Sequence, residues 1–443
     1  MIPYITRRRL EQDDGEHEFH ALNTLLLVVV LGLCILSAYL IKKYRFYFMP
    51  ESSAALCVGL VVGGIARLIT HSDEELNFLS FQPELFFFML LPPIIFEAGY
   101  TLRRKNFFRN LGTITAFAVV GTLISTFVVG YLTFACGKAG LINIDGKNPM
   151  EALLFGALIS AVDPVATLSI MGSPELNCDP LLYSLVFGES VLNDAVGIVL
   201  FKTFSKRVGA TSSSLVAFII SVLDFIVIFG GSMVLGAALA ACCALLLRLL
   251  RAPRGASAGA QGAAARLQVC VLAIFVFAPA FVAELVEMSG IVTTLFAAMA
   301  ARHWGRPNVG SDGRAAADSF IATLAHLADT SVFLYLGLSL PFANWSRDAA
   351  PSLVAVSLLA CLAGRACHVY PIALVANANG RGGGDAIPEN FQHMLWFSGL
   401  RGAVAFSCAH TFPNDNGHRQ GRKRVRNSQL QRLLSRSFST RFG

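Results

Sequence analysis

The chain has 443 residues, of which 55% are hydrophobic and only 14% are charged, and its formal net charge is +7. Soluble domains carry roughly 25% charged residues, so this composition excludes an ordinary soluble globular domain. Apolar runs of ~20 residues recur along the chain, and each is long enough to cross a hydrocarbon core of ~30 Å. These runs are continuous rather than alternating over ~10 residues, which argues against a β-barrel. The sequence therefore predicts an all-α polytopic membrane protein.

Twelve apolar spans are predicted, with a short N-terminal segment (1–21), a transmembrane domain (22–412) and a basic, disordered tail (413–443). The spans lie at 22–41, 51–70, 78–100, 111–135, 151–171, 182–201, 214–247, 267–287, 289–302, 317–341, 351–376 and 391–411. Lys and Arg cluster after the odd-numbered spans, which predicts cytoplasmic loops there. The Gly/Ala-rich stretch at 251–266 predicts a flexible linker between two halves of the domain.

An acid within an apolar run first occurs in the third span, in the stretch LLPPIIFEAGY (90–100). Glu97 follows the dipeptide Pro92-Pro93 there. A charged side chain at the bilayer centre costs at least ~2.5–3.5 kcal/mol on insertion scales, so an acid at this depth predicts a function by default. We therefore expect Glu97 to support the site.

The fifth span contains a proline at membrane depth, in the stretch ISAVDPVATLS (159–169). Pro164 removes a backbone donor and disturbs the preceding helical turn. The freed carbonyl groups lie beside Asp163 and Ser160. Broken helices at this depth line cavities and often contribute to ion sites in transporters. The alternative interpretation is a simple proline kink.

The sixth span, LVFGESVLNDAVGIVLF (185–201), places two carboxylates and an amide in an apolar run. Glu189 and Asn193 are four residues apart and share a helix face, and Asp194 lies about 100° further round the helix. The three residues predict one polar wedge that is directed into the bundle interior. A structural hydrogen-bond network is the alternative, but the neighbouring motifs favour an ion site.

Later apolar runs contain further charged residues. Glu284 lies on an apolar helix, and Arg365 lies in the middle of another. An unpaired arginine at that depth is expensive, so Arg365 requires an acid, and Glu189 is the candidate. Arg401 lies in the stretch GLRG and either pairs with an acid or caps a helix end.

Histidines and cysteines form no catalytic or metal-binding pattern in the sequence. His326, His368 and His410 are scattered singles, and the ten cysteines have no paired spacing of the zinc type. We therefore expect neither an enzyme nor a cofactor.

Four stretches together resemble the sodium/proton exchangers, the monovalent cation:proton antiporters. They are LLPPIIFEAGY (90–100), AVDPVA (161–166), FGESVLNDAV (187–196) and FSGLRGAV (397–404), and the resemblance runs from about residue 22 to residue 419. The sequence of the stretch FEAGYTLRRKNFFRNLGTI is most similar to that of the endosomal/Golgi branch. The resemblance implies an inverted-repeat fold with crossed, discontinuous helices. One broken helix is expected at 151–171 and its partner at 317–341, where Gly337 and Pro341 interrupt the run.

The resemblance implies a role for each matching residue. Asp194 is expected to bind a cation and a proton in turn, and Asn193, Asp163 and Ser160 are expected to complete the ion site. Asn193 stands where electrogenic bacterial relatives have an aspartate, which implies electroneutral exchange. Further expected roles are a core ion pair (Glu189, Arg365), supporting residues (Glu284, Arg401, Glu97) and a region associated with amiloride-type inhibitors (Leu91, Pro92, Pro93, Phe96, Gly99).

The predicted function is electroneutral exchange of Na⁺ or K⁺ for H⁺ by alternating access, which would regulate organelle or cellular pH and cation content. One carboxylate cannot hold a cation and a proton at once, so the two ligands compete. The expected partners are these ions, the lipid bilayer and a second copy in a homodimer, with no nucleic acid, no cofactor and no metal beyond the transported cation. An endosomal/Golgi membrane is favoured over the plasma membrane.

The chain departs from the family pattern near its C-terminal end. After HTFPNDNGHRQ the family continues into one more membrane helix, whereas this chain reads GRKRVRNSQLQRLLSRSFSTRFG (421–443). After twelve spans this basic tail would lie outside, against the positive-inside rule. Either the final helix is absent, as we expect, or the topology is shifted by one span. The alternatives are an inactive, truncated paralogue and, more remotely, a cation channel, which would need a pore-lining ring or filter loop.

Overall fold

The computed structural model describes residues 28–41, 43–44, 51–69, 83–102, 107, 109–142, 144, 149–162, 167, 171, 178–205, 215–251, 253, 257–342, 351–378, 386–399 and 402–410. Within these ranges all regular secondary structure is helical. The helices are α1 (Val28–Ile41), α2 (Glu51–Ile69), α3 (Pro83–Thr101), α4 (Leu111–Lys138), α5 (Pro149–Ser160), α6 (Pro180–Ser205), α7 (Leu215–Leu249), α8 (Ala258–Leu285), α9 (Gly290–Ala300), α10 (Ser311–Ser339), α11 (Pro351–Ala378), α12 (Glu389–Phe397) and α13 (Ala403–His410).

Eight helices in the described part of the chain are long and apolar enough to cross a membrane: α2, α3, α4, α6, α7, α8, α10 and α11. Shorter apolar helices are α1 and α5. These findings confirm the predicted all-α, multi-pass membrane class, while the count of twelve spans stays a prediction. Helices α3 and α4 each contain a π-helical segment, Phe86–Leu90 and Ala116–Gly121, a local distortion that is frequent at functional sites.

Helix α6 lies at the centre of the bundle. In its apolar window 83% of the residues are buried, against 22–50% in the other seven long helices. It contacts α4, α5, α7, α9, α12 and α13. Its first turn is fixed by Asp179, whose Oδ1 accepts the backbone N–H of Leu181 at 2.7 Å, and by Pro180 at the first helical position. The helix that carries Glu189 and Asp194 is therefore anchored and enclosed.

The second broken helix is not where the sequence predicted it. The prediction of an interruption at Gly337 within 317–341 is wrong, because α10 runs unbroken through that residue to Ser339. The interruption lies instead between α12 and α13, where Ser398, Gly399 and Gly402 are not helical. This break falls in the stretch FSGLRGAV, which the sequence analysis treated as one span. Two glycines close together there weaken the helix.

Gly337 has a packing role instead. A Cβ atom at Gly337 would overlap the Leu56 carbonyl group of α2, and one at Gly63 would lie 2.6 Å from the Leu338 carbonyl oxygen. Glycine at both positions lets the backbones of α2 and α10 approach closely. Gly337 was predicted to break its helix. In the structure it instead allows close helix–helix contact.

The predicted flexible linker at 251–266 is also wrong in its second half. Helix α8 begins at Ala258, and Ser257 is its N-cap, with the Ser257 Oγ accepting the N–H of Ala260 at 3.4 Å. Alanine has the highest helix propensity, so an Ala-rich stretch with a serine cap extends the helix although glycines interrupt it.

Candidate functional site

The broken end of α5 is held by two side chains from α6. After Ser160 the chain leaves the helix, and the Val162 N–H donates to the Asn193 Oδ1 at 2.9 Å. The Ser190 hydroxyl donates to the Val162 carbonyl oxygen at 2.7 Å. Both polar side chains are at most 2% exposed. Because backbone groups freed by a helix break need partners when buried, Asn193 and Ser190 stabilise the non-helical backbone.

Of two other predicted ion-site residues, the structure describes Ser160 but not Asp163. Ser160 is 1% exposed, and its hydroxyl donates to the Gly156 carbonyl oxygen of its own helix at 2.6 Å. Asp163 lies outside the described residues, and so does Arg401. The site is therefore defined by α6 and the described helices that contact it.

A buried ion pair joins α6 to α11. Arg365 and Glu189 are each 2% exposed, and the Arg365 Nη1 donates to the Glu189 Oε1. The Arg365 Nη2 donates to the Leu395 carbonyl oxygen of α12. A Cβ atom at Gly399 would lie 2.6 Å from the Arg365 Nε. The guanidinium is thus enclosed by backbone and neutralised by one carboxylate, as a charge at this depth requires.

His368 is a third member of this cluster. Its ring is 1% exposed, and its Nε2 lies 3.3 Å from the Arg365 Nη1 and 3.7 Å from the Glu189 Oε1. Its Nδ1 lies 2.9 Å from the Gly364 carbonyl oxygen. The sequence analysis treated this histidine as an isolated residue. Its spacing of three from Arg365, which puts both on one helix face, could have suggested the contact.

A cavity of about 350 Å³ lies on another side of α6, and Asp194 lines it. Glu189 and Asp194 are five residues apart, which separates them by about 140° round a helix. Two further acids line the cavity, Glu97 from α3 and Asp329 from α10. Asp194, Glu97 and Asp329 are all half-buried. Three carboxylates from three helices therefore border one space.

This cavity suits a hard cation better than an organic anion. Its carboxylate oxygens are the ligands that hard cations prefer, and the apolar part of the wall includes Phe86, Phe187 and Phe333. A cavity needs ~10–15 Å³ to hold one water, so this volume leaves room for several waters around an ion. Among the residues that the structure describes, no three His, Cys, Asp or Glu side chains converge to chelate a metal.

Asp329 and His326 line the cavity but were not predicted as site residues. Asp329 interrupts the apolar run LADTSVFL (327–334) just as Glu97 interrupts its own run, so the same rule could have identified it. His326 was considered only as a scattered histidine. Its Nε2 lies 3.8 Å from the Glu51 Oε2 of α2, a pairing across helices that no local pattern indicates.

The predicted inhibitor region divides between the cavity and the packed core. Leu91 lines the cavity. Phe96 is fully buried, with its ring 5.8 Å from that of Tyr100 and 6.1 Å from that of Phe275 in α8. A Cβ atom at Gly99 would lie 2.8 Å from the Leu295 carbonyl oxygen of α9. The remaining members, Pro92 and Pro93, are also buried and do not line the cavity.

Glu284 lies apart from these clusters, near the end of α8. Its Oε1 lies 2.8 Å from the Lys202 Nζ of α6, and the two side chains are 40% and 53% exposed. Glu284 does not line the cavity. The predicted supporting acid therefore belongs to an exposed ion pair that joins α8 to the far end of α6.

Apolar helices of membrane length, two interrupted helices beside the central helix α6 and an acid-lined cavity define an integral membrane protein with the architecture of a transporter. The fold is similar to the solved structure of the sodium proton antiporter MjNhaP1 from Methanocaldococcus jannaschii, with a TM-score of 0.62. The match covers 93% of this chain and 88% of that one at 19% sequence identity. It confirms the predicted antiporter fold.

The family model described as "Sodium/hydrogen exchanger, transmembrane" matches residues 27–421. Sodium/hydrogen exchanger 8 of Homo sapiens is 35% identical over 408 residues, which cover 90% of this chain and 66% of that protein. Sodium/hydrogen exchanger 5 of Arabidopsis thaliana is 36% identical over 401 residues, which cover 89% and 74%. The chain belongs to the sodium/hydrogen exchanger family, as its motifs predicted, and it spans about two thirds of the length of the human relative. Members of this family are secondary transporters rather than enzymes.

Proposed function

We propose that this protein exchanges Na⁺ or K⁺ for H⁺ across a membrane by alternating access, and that Asp194 binds either ligand. The observation that carries this proposal is the position of Asp194 on the cavity that Glu97 and Asp329 also line. The proposal is further supported by the different surroundings of Glu189, which is buried in an ion pair with Arg365. A helix that fixes one carboxylate and presents another to a cavity is suited to ligand exchange.

Electroneutral exchange follows from the charges on α6. Asn193 is neutral, and its side-chain oxygen already accepts the Val162 N–H. If Asp194 is the exchanging carboxylate, it carries no net charge with either a bound proton or a bound monovalent cation. The loaded site then has the same charge in both transport directions, so one cation is exchanged for one proton.

The interrupted helices supply neutral ligands and a place for movement. Helices α5, α12 and α13 all contact α6, and Val162 just beyond α5 is bonded to Asn193 and Ser190 of α6. Non-helical backbone beside a site can offer carbonyl oxygens to a cation. Ser160 is the last residue of α5, and in the sequence Asp163 follows it closely and Arg401 lies between Gly399 and Gly402. We assign Ser160, Asp163 and Arg401 to the ion site and its support on this basis together with the family resemblance.

Two features of the biological setting belong to the same proposal. We assign the protein to an endosomal or Golgi membrane, because the stretch FEAGYTLRRKNFFRNLGTI is most similar to that branch of the family. We also assign a homodimer, by analogy with the family. Localisation of the tagged full chain, together with cross-linking in its native membrane, tests both assignments.

The exchange activity is tested in proteoliposomes that contain the purified full chain and a pH-sensitive dye. An imposed Na⁺ or K⁺ gradient is expected to drive proton movement in the opposite direction, with no net current. The Asp194→Asn variant is expected to lose this movement, because an amide cannot exchange a proton for a cation. A current without the counter-ion would indicate a channel, no flux would indicate an inactive paralogue, and wild-type exchange in the variant would refute the role of Asp194.

A further inference from the structure

The protonation state of His368 follows from its two neighbours. Its Nδ1 lies 2.9 Å from the Gly364 carbonyl oxygen, and a carbonyl group only accepts hydrogen bonds, so the Nδ1 carries the proton. Its Nε2 lies 3.3 Å from the Arg365 Nη1, and a guanidinium only donates. The Nε2 therefore holds a lone pair that accepts from Arg365. Both contacts are satisfied by one tautomer of the neutral ring.

A protonated ring would disturb the same cluster. With neutral His368, the buried group contains one cation, Arg365, and one anion, Glu189, and its net charge is zero. A proton on the Nε2 would remove the lone pair that faces Arg365 and would place a second cation beside it. Burying a net charge is costly at low dielectric, so the geometry favours the neutral ring.

The surroundings of the ring add no further charge among the described residues. Helix α6 presents Glu189, and the ring's own helix presents Arg365. Helix α4 presents Gly121, where a Cβ atom would lie 2.8 Å from the His368 Cδ2. Helix α12 presents the Leu395 carbonyl group, which accepts from Arg365. The ring is closely enclosed, and its only polar contacts in the described structure are those already named.

We propose that His368 is a positioning residue that acts as a neutral hydrogen-bond acceptor and holds the Arg365 guanidinium against Glu189. Arg365 then has two fixed acceptors besides its carboxylate, the imidazole and the Leu395 carbonyl group. Through Glu189 this contact fixes α6 and hence the placement of Asp194 on the cavity. The expected effect of His368 on transport rests on the proposed function. Its expected effect on the Arg365–Glu189 pair does not.

The test compares three variants of the full chain with the wild type. His368→Gln places an amide oxygen near the position of the Nε2 and cannot be protonated in the neutral pH range. His368→Leu keeps the bulk and removes the acceptor. His393→Gln is the matched control, because His393 is exposed on α12 and contacts the Tyr370 hydroxyl group at 3.0 Å.

At pH 8 we expect His368→Leu to lower the Tm of the purified protein by about 3–5 °C, because a hydrogen bond to a charged group is lost. His368→Gln is expected to stay within about 2 °C of the wild type, because it restores an acceptor. Exchange in proteoliposomes is expected to fall at least ~10-fold in the Leu variant and to be recovered within about twofold in the Gln variant. His393→Gln is expected to match the wild type.

The order of the Gln and Leu variants separates the acceptor from simple packing. Equal Tm values for the Gln and Leu variants at pH 8 would overturn the proposal, as would a Tm of the Gln variant as far below the wild type as is expected for the Leu variant. Should the Leu variant fail to fold, the comparison of the Gln variant with the wild type still decides. Wild-type protein that exchanges nothing but shows the expected Tm pattern would refute the proposed function and leave the role of His368 intact.

Discussion

Two acidic residues on α6 differ in how the protein holds their charge. Glu189 is 2% exposed and lies against Arg365 and His368, in a cluster whose charges cancel. Asp194, about 140° further round the helix, is half-buried and borders a cavity of about 350 Å³. The same residue class thus has two settings within two turns. The difference shows that depth in the membrane does not by itself identify a transport residue.

The two settings require opposite properties. A carboxylate that joins helices has to keep one partner, so enclosure by Arg365, His368 and backbone carbonyl groups stabilises it. A carboxylate that exchanges ligands needs space for each ligand to enter and leave, and a neighbouring volume provides it. Asn193 is held in place like Glu189, because its Oδ1 accepts the Val162 N–H at the end of α5. Ser190 donates to the Val162 carbonyl oxygen and also lines the cavity.

The largest expected effect comes from a matched pair of variants on α6. One is expected to lose stability and keep its cavity, and the other is expected to lose exchange and keep its stability. Glu189→Gln is expected to lower the free energy of unfolding by about 3–5 kcal/mol, because it leaves a buried guanidinium without a counter-charge. Asp194→Asn is expected to abolish exchange with little change in stability, because the cavity tolerates a neutral side chain. Thermal unfolding of purified protein and proton flux in proteoliposomes measure the two effects.

A second substitution serves as the control for the first. In the double variant Glu189→Gln/Arg365→Met the unpaired charge is absent, so part of the lost stability is expected to return. The comparison fails if Asp194→Asn is the less stable of the two single variants. It also fails if Glu189→Gln is as stable as the wild type, since Glu189 would then not hold the helices together.

The sequence predicted the pairing of Arg365 with Glu189, which the structure shows, because the energy rule behind it is local. An arginine in an apolar run must have an acid, and few acids lie at that depth, so Arg365 and Glu189 could be matched without coordinates. The prediction of one polar wedge on α6 is wrong, because Glu189 faces Arg365 whereas Asp194 lines the cavity on another side of the helix. Family motifs then identified the fold class, which the similarity to a solved antiporter confirms.

The features that sequence reasoning missed depend on how distant helices meet. Asp329 reaches the cavity because α10 packs beside α3, and no periodicity within either helix encodes that contact. Gly337 predicted a break, but the close approach of α2 determines its role. The actual second break lies at Gly399 and Gly402 and was hidden in a span of ordinary length. Hydropathy detects apolar runs and does not detect short non-helical turns within them.

The next expected effect sharpens the grouping of Asn193 with Glu189 as a residue that is held in place. Asn193→Ala is expected to destabilise the protein by about 1–3 kcal/mol, because it leaves the buried Val162 N–H without an acceptor. Asn193→Asp keeps an oxygen that can accept the same N–H, so its stability is expected to exceed that of the Ala variant. Thermal unfolding tests this order. If the Ala variant is as stable as the wild type, Asn193 does not stabilise the broken helix and belongs instead with Asp194.

A smaller effect is expected where α2 packs against α10, one of the helices that line the cavity. Gly63→Ala is expected to destabilise the protein by about 0–2 kcal/mol, because crowding against the Leu338 carbonyl group exceeds the gain of ~1 kcal/mol from higher helix propensity. Gly64→Ala is the matched control, since no atom lies within 4 Å of a Cβ placed there, and it is expected to be neutral or stabilising. Equal Tm values for the two variants would show that α2 and α10 have room to separate.

The smallest effect is expected from the second ion pair on α6, which joins Lys202 to Glu284. Both side chains are 40% or more exposed, and ion pairs exposed in this way contribute only ~0–1 kcal/mol in water. Lys202→Gln and Glu284→Gln are therefore expected to change Tm little and by equal amounts, and a double-mutant cycle is expected to show weak coupling. Exchange measured in the same variants separates two roles for Glu284. If Glu284→Gln lowers exchange well below Lys202→Gln, this acid acts on the transported ion and not only through the pair, and the division of α6 into fixed and exchanging carboxylates would then have to include a residue outside the cavity.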